Sequence, residues 1–279
     1  MSITVESPRT LGRRIDVAAV PSVPAGFTAC ADLGWRPSDD GVDLVHTFTA
    51  ESISDGAAVN ALSELVRVGA IAGQDEFESA MVGLIASCCE DPADGWLAFY
   101  ANSVDDLRTG RSGFSPVHRR ARSLVVGHTV LEVGCCFGLF AVQCAQDGLD
   151  VQACDICAGA LALLDDVSVR LGVGVRTVLG DARALPVSDD RVDTVTLIHL
   201  LEHLSSGDVT IAVREALRVA RRRVVIAVPF EDEPSEHFGH LQRLSEDDLL
   251  RWAAPWIRSG LTVTVFTDHG GWLVIDKPA

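Results

Sequence analysis

Apolar positions recur with two different spacings along this chain. From about residue 128 onward, short apolar runs alternate with stretches in which apolar residues recur every three or four positions. The short runs predict strands, at residues 128–133, 150–154, 174–178, 192–198, 223–228, 261–266 and 271–276. The stretches between them predict helices, at about residues 137–147, 157–171, 207–220 and 245–254. The last helix opens on Ser245-Glu246-Asp247-Asp248, a pattern typical of a capping box.

The alternation of strands and helices predicts how the strands pair. A strand, a helix and a second strand close with a right-handed crossover, which makes the two strands parallel. The final two strands are joined only by Thr267-Asp268-His269-Gly270-Gly271, which is too short for a crossover, so we expect an antiparallel hairpin. The predicted fold is therefore α/β, a doubly wound seven-stranded and mostly parallel sheet with a mostly helical N-terminal region.

The N-terminal region has its own pattern. Residues 1 to about 50 are rich in Pro, Gly and Asp, and we expect irregular structure there with room for a strand. Helical spacing follows over residues 59–66, with Ser54 or Asp55 placed to cap the helix. A second helix is predicted from about 74 to 89. A third begins at Asp91-Pro92, because proline at the first helical position gives up no needed N–H.

These elements predict two regions with different roles. We expect residues 1–115 to form a mostly helical N-terminal region, and residues 116–279 to form the α/β domain. The joint is predicted at residues 110–113, where glycine and serine interrupt the helical spacing.

Composition narrows the partners and the location. With 23 basic and 39 acidic side chains in 279 residues, the formal net charge is −16 at pH 7, which repels nucleic-acid phosphates and anionic lipid headgroups. No uninterrupted apolar segment reaches the roughly 18 residues that a membrane span needs. The N-terminal residues also lack the apolar core of a signal peptide. We therefore expect a cytoplasmic protein with no nucleic-acid or membrane partner.

The turn after the first predicted α/β strand is the clearest candidate for a ligand site. The stretch V-L-E-V-G-C-C-F-G-L-F at residues 130–140 is an apolar strand that ends near an acid, followed by a glycine turn and a helix start. A helix N-terminus there offers free N–H groups and a positive dipole end. Dinucleotide loops carry G-x-G-x-x-G, and Cys136 and Leu139 occupy its second and third glycine places. A nicotinamide-dependent oxidoreductase is therefore disfavoured.

Acidic residues also follow the next two strands. Asp155 ends the second strand, and Gly180-Asp181-Ala182 follows the third. Together with Glu132 they place three carboxylates at one edge of the predicted sheet. Carboxylates held this close repel one another unless a polar ligand lies between them, so the arrangement favours a bound cofactor.

With these residues, the chain from about 115 to 279 resembles the class I S-adenosylmethionine-dependent methyltransferases, which have a Rossmann-like fold. The resemblance implies S-adenosylmethionine as cofactor, with Glu132 and the loop glycines Gly134 and Gly138 at its methionyl portion. It implies that Asp155 binds both ribose hydroxyls, and that Asp181, with Ala182 beside it, meets the adenine amino group. Cys136 stands where the family more commonly has glycine, so its side chain is expected near the methionyl group.

Histidines cluster where the reaction would take place. His199, His203, His237, His240 and His269 all follow the fourth, fifth or sixth strand. Methyl transfer to a hydroxyl needs removal of its proton, and histidine is the side chain whose ordinary pKa lies nearest neutral pH. We expect His199 to be the base because it directly follows the fourth strand. His240 is the second candidate, and Glu-His at residues 202–203 is also compatible with a packing role.

A metal site is an alternative use of the same histidines. His199, Glu202 and His203 share one face if their segment is helical, and His237 or His240 would complete a ligand set. Because neutral imidazoles near a cationic sulfonium are useful without a metal, we expect no metal and turnover that does not need a divalent ion.

The function predicted from the sequence is methyl transfer to a hydroxyl oxygen of a small molecule or glycan. The N-terminal region would cap the cofactor cleft and shape the acceptor pocket. Within the family, this region and the segment P-F-E-D-E-P…G-H-L-Q-R look like the mycofactocin oligosaccharide methyltransferases. The alternative is a non-catalytic, methyltransferase-like module that regulates a partner.

Overall fold

The structure, a computed structural model, describes residues 13–278, which divide into two units. The first unit comprises residues 13–113 together with Ser235–Gly239, and the second comprises Phe114–Pro234 and residues 240–278. The expectations for residues 1–12 lie outside the described residues. No helix among residues 13–278 is both long enough and apolar enough to cross a membrane.

The first unit contains a small sheet that the sequence analysis did not predict. Its strands are β1 (Arg14–Ala19), β2 (Thr28–Cys30), β3 (Leu33–Pro37) and β4 (Gly41–His46). They pair in the order β1-β4-β3-β2, parallel between β1 and β4 and antiparallel elsewhere. The expectation of irregular structure with room for one strand is therefore wrong for residues 14–46. The strands are short, and the alternation at Val42-Asp43-Leu44 in β4 is too brief to identify a strand by itself.

Three helices complete the first unit, near the predicted positions. They are α1 (Asp55–Arg67), α2 (Gly73–Ser87) and α3 (Pro92–Thr109). The Ser54 hydroxyl accepts a hydrogen bond from Ala57 N, and the Asp91 carboxylate accepts one from Ala93 N, so both predicted caps are confirmed. Gly83 on α2 lies against β1, where a Cβ atom would come within 2.5 Å of Val17 Cγ2. The glycine allows this helix to pack closely on the sheet.

The second unit is built on the predicted seven-stranded sheet. It begins with α4 (Ser115–Leu124). Its strands are β5 (Thr129–Val133), β6 (Asp150–Asp155), β7 (Val175–Leu179), β8 (Val192–Ile198), β9 (Ala220–Val228), β10 (Thr262–Thr267) and β11 (Gly271–Asp276). They pair in the order β10-β11-β9-β8-β5-β6-β7. All pairs from β7 to β9 are parallel, whereas β11 is antiparallel to both β9 and β10. The α/β fold class and the C-terminal hairpin are confirmed.

The crossover helices also follow the predicted pattern. They are α5 (Leu139–Gln146), α6 (Ala158–Leu171), α7 (Ser206–Val219) and α8 (Glu246–Arg258). The predicted capping box at Ser245 and Asp248 is present at the start of α8. Short 3-10 turns occur at Leu201–His203 in the second unit and at Glu236–Phe238 in the first.

A buried carboxylate fixes the register between β5 and β8, the two strands at the centre of the site. Asp193 is 4% exposed, and its Oδ2 accepts hydrogen bonds from His128 N at 2.9 Å and Thr129 N at 3.1 Å. These bonds and the nearby Arg221 guanidinium hold the pKa of the Asp193 carboxyl well below its usual range, against the effect of burial. The register pairs Glu132 with Thr196, so the carboxyl ends of β5 and β8 meet at one edge.

Candidate active site

The glycine turn between β5 and α5 requires left-handed backbone at three places. The φ angles are +72° at Gly134, +49° at Cys136 and +68° at Gly138. A Cβ atom at Gly138 would come within 2.4 Å of Leu164 Cδ2, and one at Gly134 within 2.6 Å of Leu200 Cδ1. Both glycines are therefore required by conformation and by space. Cys136 adopts the left-handed region with a side chain, at a cost of about 1–2 kcal/mol.

Asp155 holds this turn in place from the end of β6. Its Oδ2 accepts a hydrogen bond from Cys136 N at 2.7 Å, and its Oδ1 accepts one from Cys157 N at 2.8 Å. The residue is half-buried. A carboxylate aimed at the turn by two backbone donors can accept further hydrogen bonds, because each oxygen has a second lone pair.

Glu132 lies beneath the start of α5. It is 5% exposed, and its Oε2 accepts a hydrogen bond from Ala141 N at 2.9 Å. Burial raises the pKa of Glu132 to about 8, and the charge of the neighbouring Asp155 acts in the same direction. A cationic group bound nearby would favour the ionised carboxylate, so the site suits the ammonium end of a ligand.

Asp181 lies beside Asp155 at the neighbouring strand end, since Gly180 N donates a hydrogen bond to Asp155 O at 3.0 Å. Its two carboxylate oxygens both accept from Arg183, and the shortest of these contacts is 2.6 Å. This pairing holds the pKa of Asp181 below its ordinary value. Ala182 packs against the hydrophobic core of the unit. The structure therefore places Glu132, the glycine turn, Asp155 and Asp181 at neighbouring strand ends, whereas Ala182 packs on the core.

His199 follows β8 and adopts an uncommon backbone conformation, with φ of +52°. Its side chain is 22% exposed, but its Nε2 is buried and has no hydrogen-bond partner among the described residues. Burial lowers the pKa of His199 to about 4, and the neighbouring histidines act in the same direction. The imidazole is therefore neutral at pH 7. Non-glycine residues in such conformations are frequent at functional sites.

A second group of side chains lies beside His199. Glu202 is fully buried, and its Oε1 is 3.7 Å from His199 Nδ1. His240 Nδ1 is 2.7 Å from Glu231 Oε2, and the His240 and His203 rings are 4.9 Å apart between centroids. The expected shared helical face is not formed, because Leu201–His203 is a 3-10 turn that begins after His199. The residues nevertheless converge, since they lie on one tight turn.

The segment that carries His240 is joined to this turn by one backbone and one side-chain hydrogen bond. Leu241 N donates to Glu202 O at 2.9 Å, and Gln242 Nε2 donates to Leu204 O at 2.7 Å. These bonds join residues about forty positions apart in the chain, so the pattern of the sequence could not show them.

Sequence reasoning missed His118, on α4 before the first strand of the sheet. Its Nδ1 is 3.2 Å from Gln143 Oε1, burial lowers its pKa to about 4, and its protonated form would lower the pKa of His199. No signal in the sequence distinguished it from a surface histidine. In contrast, His237 lies in the first unit, 5.4 Å from Phe77 between ring centroids, and the His269 side chain is 63% exposed on the β10–β11 turn.

Comparison with known proteins is consistent with this geometry. Residues 131–228 match the family described as "Methyltransferase domain". That range begins at the centre of β5 and ends with β9, so it contains Glu132, the glycine turn, Asp155, Asp181 and His199. No curated protein matches the chain.

Several solved structures are similar to this chain, and one of those described here has a TM-score above 0.5, which shows a shared fold. The PH0226 protein from Pyrococcus horikoshii OT3 superposes with a TM-score of 0.51 at 15% identity, covering 61% of this chain and 91% of that one. A putative S-adenosyl-L-methionine-dependent methyltransferase from Methanococcus maripaludis gives a TM-score of 0.49 at 16% identity, over 66% and 94% of the two chains. Magnesium protoporphyrin IX methyltransferase from Synechocystis PCC 6803, with bound SAM, gives 0.44 at 14% identity over 66% and 82%.

Proposed function

We propose that the chain is a class I, S-adenosylmethionine-dependent methyltransferase that methylates a hydroxyl oxygen of a small molecule or glycan; the match of residues 131–228 to the methyltransferase domain family supports the first part of this proposal. The cofactor is S-adenosylmethionine. When bound, it supplies a methyl group on a positively charged sulfur that is open to in-line attack.

The donors and acceptors at the strand ends fit this cofactor. We assign the ribose hydroxyls to Asp155, whose carboxylate is already oriented by Cys136 N and Cys157 N. We assign the adenine amino group to Asp181 and the ammonium group of the methionyl portion to buried Glu132. Each assignment pairs a hydrogen-bond donor or cation of the cofactor with a carboxylate at the edge of the sheet.

The observation that carries the proposal is the position and state of His199. Its neighbour Leu200 packs against Gly134, so His199 follows the strand that lies directly beside the glycine turn. Its buried Nε2 has no partner among residues 13–278, and its imidazole is neutral. A neutral, positioned imidazole can accept the proton of an attacking hydroxyl, which is what methyl transfer to oxygen requires.

The acceptor class follows from the neighbouring segment. Asp232 and Glu233 are exposed after β9, and their carboxylates can accept hydrogen bonds from several hydroxyl groups. We therefore propose a polyhydroxyl acceptor. As a finer proposal, based on the resemblance of residues 229–243, the acceptor is an oligosaccharide of the mycofactocin type.

The test measures S-adenosylhomocysteine release with a panel of glycosides and oligosaccharides. His199→Asn removes the base, and asparagine tolerates left-handed backbone. His269→Asn is the matched control, because His269 also has φ of +52° but is largely exposed. We expect His199→Asn to lower kcat by about 10² to 10⁴ with little change in cofactor affinity, and His269→Asn to have no effect.

The alternatives give different results. Full activity in His199→Asn combined with loss in His240→Asn would transfer the role of base to His240, which has its own carboxylate partner. Turnover with amine or thiol acceptors, but with none of the hydroxyl acceptors, would refute methylation of oxygen. Binding of S-adenosylhomocysteine with no turnover of any acceptor class would favour a non-catalytic module.

A further inference from the structure

Three metal-ligand side chains converge in the second unit, beside His199. Glu202, His203 and His240 each offer one ligand atom, and these atoms all lie within 4.8 Å of one another. Ligands bound to one tetrahedral zinc ion at about 2.0–2.2 Å lie about 3.4 Å apart. A side-chain adjustment of roughly an ångström would therefore close the set around an ion.

Glu202 points to a ligand more strongly than the distances do. It is 0% exposed, and neither of its carboxylate oxygens has a hydrogen-bond partner on another described residue. The nearest opposite charge that it could meet is His199, at 3.7 Å and only if the imidazole is protonated. Burying an unpaired carboxylate is costly, so buried acids are normally paired or bound to a metal. A cation held by Glu202 would remove that cost.

The surroundings of His240 are those of a metal-binding imidazole. Its side chain is 8% exposed, and its Nδ1 lies 2.7 Å from Glu231 Oε2. Histidine ligands almost always bond to a carboxylate or carbonyl through the nitrogen that does not bind the metal, which fixes the orientation of the ring. The Glu231 contact would fix the orientation of the His240 ring when its other nitrogen binds an ion.

We propose that Glu202, His203 and His240 bind one divalent transition-metal ion, of the Zn²⁺, Co²⁺ or Mn²⁺ class, with Glu231 as the positioning residue. Two imidazoles and one carboxylate suit these ions, whereas Mg²⁺ and Ca²⁺ prefer all-oxygen sites. Three protein ligands leave at least one coordination position open, as catalytic zinc sites do. The expectation that no metal is required remains the opposing prediction, and the experiment below distinguishes the two.

The role of the ion depends on the proposed function, but its binding does not. If the chain methylates a hydroxyl, the open position is where the acceptor oxygen would bind and become more acidic, next to His199. Metal binding is measured without a methyl acceptor or cofactor, so a failure of one proposal is distinguishable from a failure of the other.

The experiment titrates chelator-treated protein with Zn²⁺ by calorimetry and with Co²⁺ by visible absorption. We expect one ion per chain, and a Co²⁺ spectrum without thiolate charge-transfer bands. Glu202→Gln and His240→Gln should each weaken binding by at least about 100-fold, since loss of an outer-shell partner alone weakens binding by about 10- to 100-fold. Glu231→Gln should fall in that smaller range. His269→Gln is the matched control and should bind as the wild type does.

Several results would overturn the proposal. The proposal is wrong if the wild-type protein binds Zn²⁺ no more tightly than Glu202→Gln does. It is also wrong if the Co²⁺ spectrum shows thiolate charge-transfer bands, which would assign the ion to exposed Cys136 or Cys157. Each variant is first checked for an unchanged circular dichroism spectrum. Because His240→Gln leaves the buried acid in place, it keeps the test decisive if Glu202→Gln does not fold.

Discussion

Replacement of Asp155 by asparagine tests the cofactor site most directly. The carboxylate uses one oxygen for Cys136 N and the other for Cys157 N, and it is proposed to use the remaining lone pairs for the two ribose hydroxyls. Asparagine keeps one acceptor oxygen but removes the charge, and its NH₂ group cannot accept from either hydroxyl. Hydrogen bonds to charged groups contribute about 1.5–3 kcal/mol each. We expect a loss of that size, which corresponds to about 10- to 150-fold weaker binding of S-adenosylhomocysteine.

The same substitution should change the fold little. One of the two backbone donors loses its acceptor, which costs about 1–3 kcal/mol when the group is buried and less when water can reach it. Both Cys136 and Cys157 are exposed, so the smaller value applies. The free energy of unfolding, measured with denaturant, should fall by about 1 kcal/mol or less. The loss of affinity should therefore exceed the loss of stability.

Calorimetric titration with S-adenosylhomocysteine is the assay. Asp166→Asn is the control, because Asp166 is an exposed aspartate on α6. Repeating the titrations of wild type and Asp155→Asn with a 2′-deoxyribose analogue of S-adenosylhomocysteine completes a double-mutant-type cycle. This cycle isolates the contribution of the contact between Asp155 and the 2′-hydroxyl. Asp155→Asn should weaken the analogue less than the full ligand, because one hydroxyl is already missing. Equal weakening of both ligands, or unchanged affinity, would remove Asp155 from the ribose role.

Three further predictions concern the loop, a buried histidine and an ion pair. Cys136→Gly should raise the free energy of unfolding by about 0.5–1 kcal/mol, because glycine adopts left-handed backbone without strain, whereas Gly138→Ala should lower it by more than about 2 kcal/mol. A destabilised Cys136→Gly would contradict the assignment of strain. Burial lowers the pKa of His46 to about 4 in the folded chain, so its contribution to stability is present above pH 6.5 and lost as pH falls to 4. The loss of free energy of unfolding caused by His46→Gln, measured by denaturant titration, should therefore shrink by roughly 1–2 kcal/mol as the pH falls from 6.5 to 4. A loss that stays constant over this pH range would refute the prediction. Arg183→Ala should lower the free energy of unfolding by less than about 1 kcal/mol, since the Arg183–Asp181 ion pair is largely exposed. It should nevertheless weaken the binding of S-adenosylhomocysteine, because the guanidinium orients the Asp181 carboxylate. Unchanged affinity by calorimetry would show that Asp181 does not bind the adenine.

The sheet of the second unit was predictable because its signals are local. Short apolar runs at the spacing of strands, and caps such as Ser245, report on residues that are neighbours in the chain. The small sheet of residues 14–46 gave no such signal. β2 has only three residues, and β4 alternates only briefly at Val42-Asp43-Leu44, so neither is long enough to identify a strand from its pattern.

The candidate site likewise has features that the sequence predicts and features that only the packing of the chain reveals. The amino-acid order alone determined the carboxylates at the strand ends, because the ends of successive parallel strands must meet at one edge of the sheet. It also determined which histidine follows β8. It could not determine that His118 reaches the same cluster or that Glu231 pairs with His240, because those contacts depend on how separate segments pack.

The state of each group was decided only by the tertiary structure. The sequence identifies Glu202 as an acid and His199 as a titratable base of ordinary pKa. Burial raises the pKa of Glu202 to about 8, lowers that of His199 to about 4, and leaves the Glu202 oxygens without a partner on another described residue. Solvent exclusion acts through space and not along the chain, so the order of residues determines which groups are present, and the packing around them determines their charge and their available chemistry.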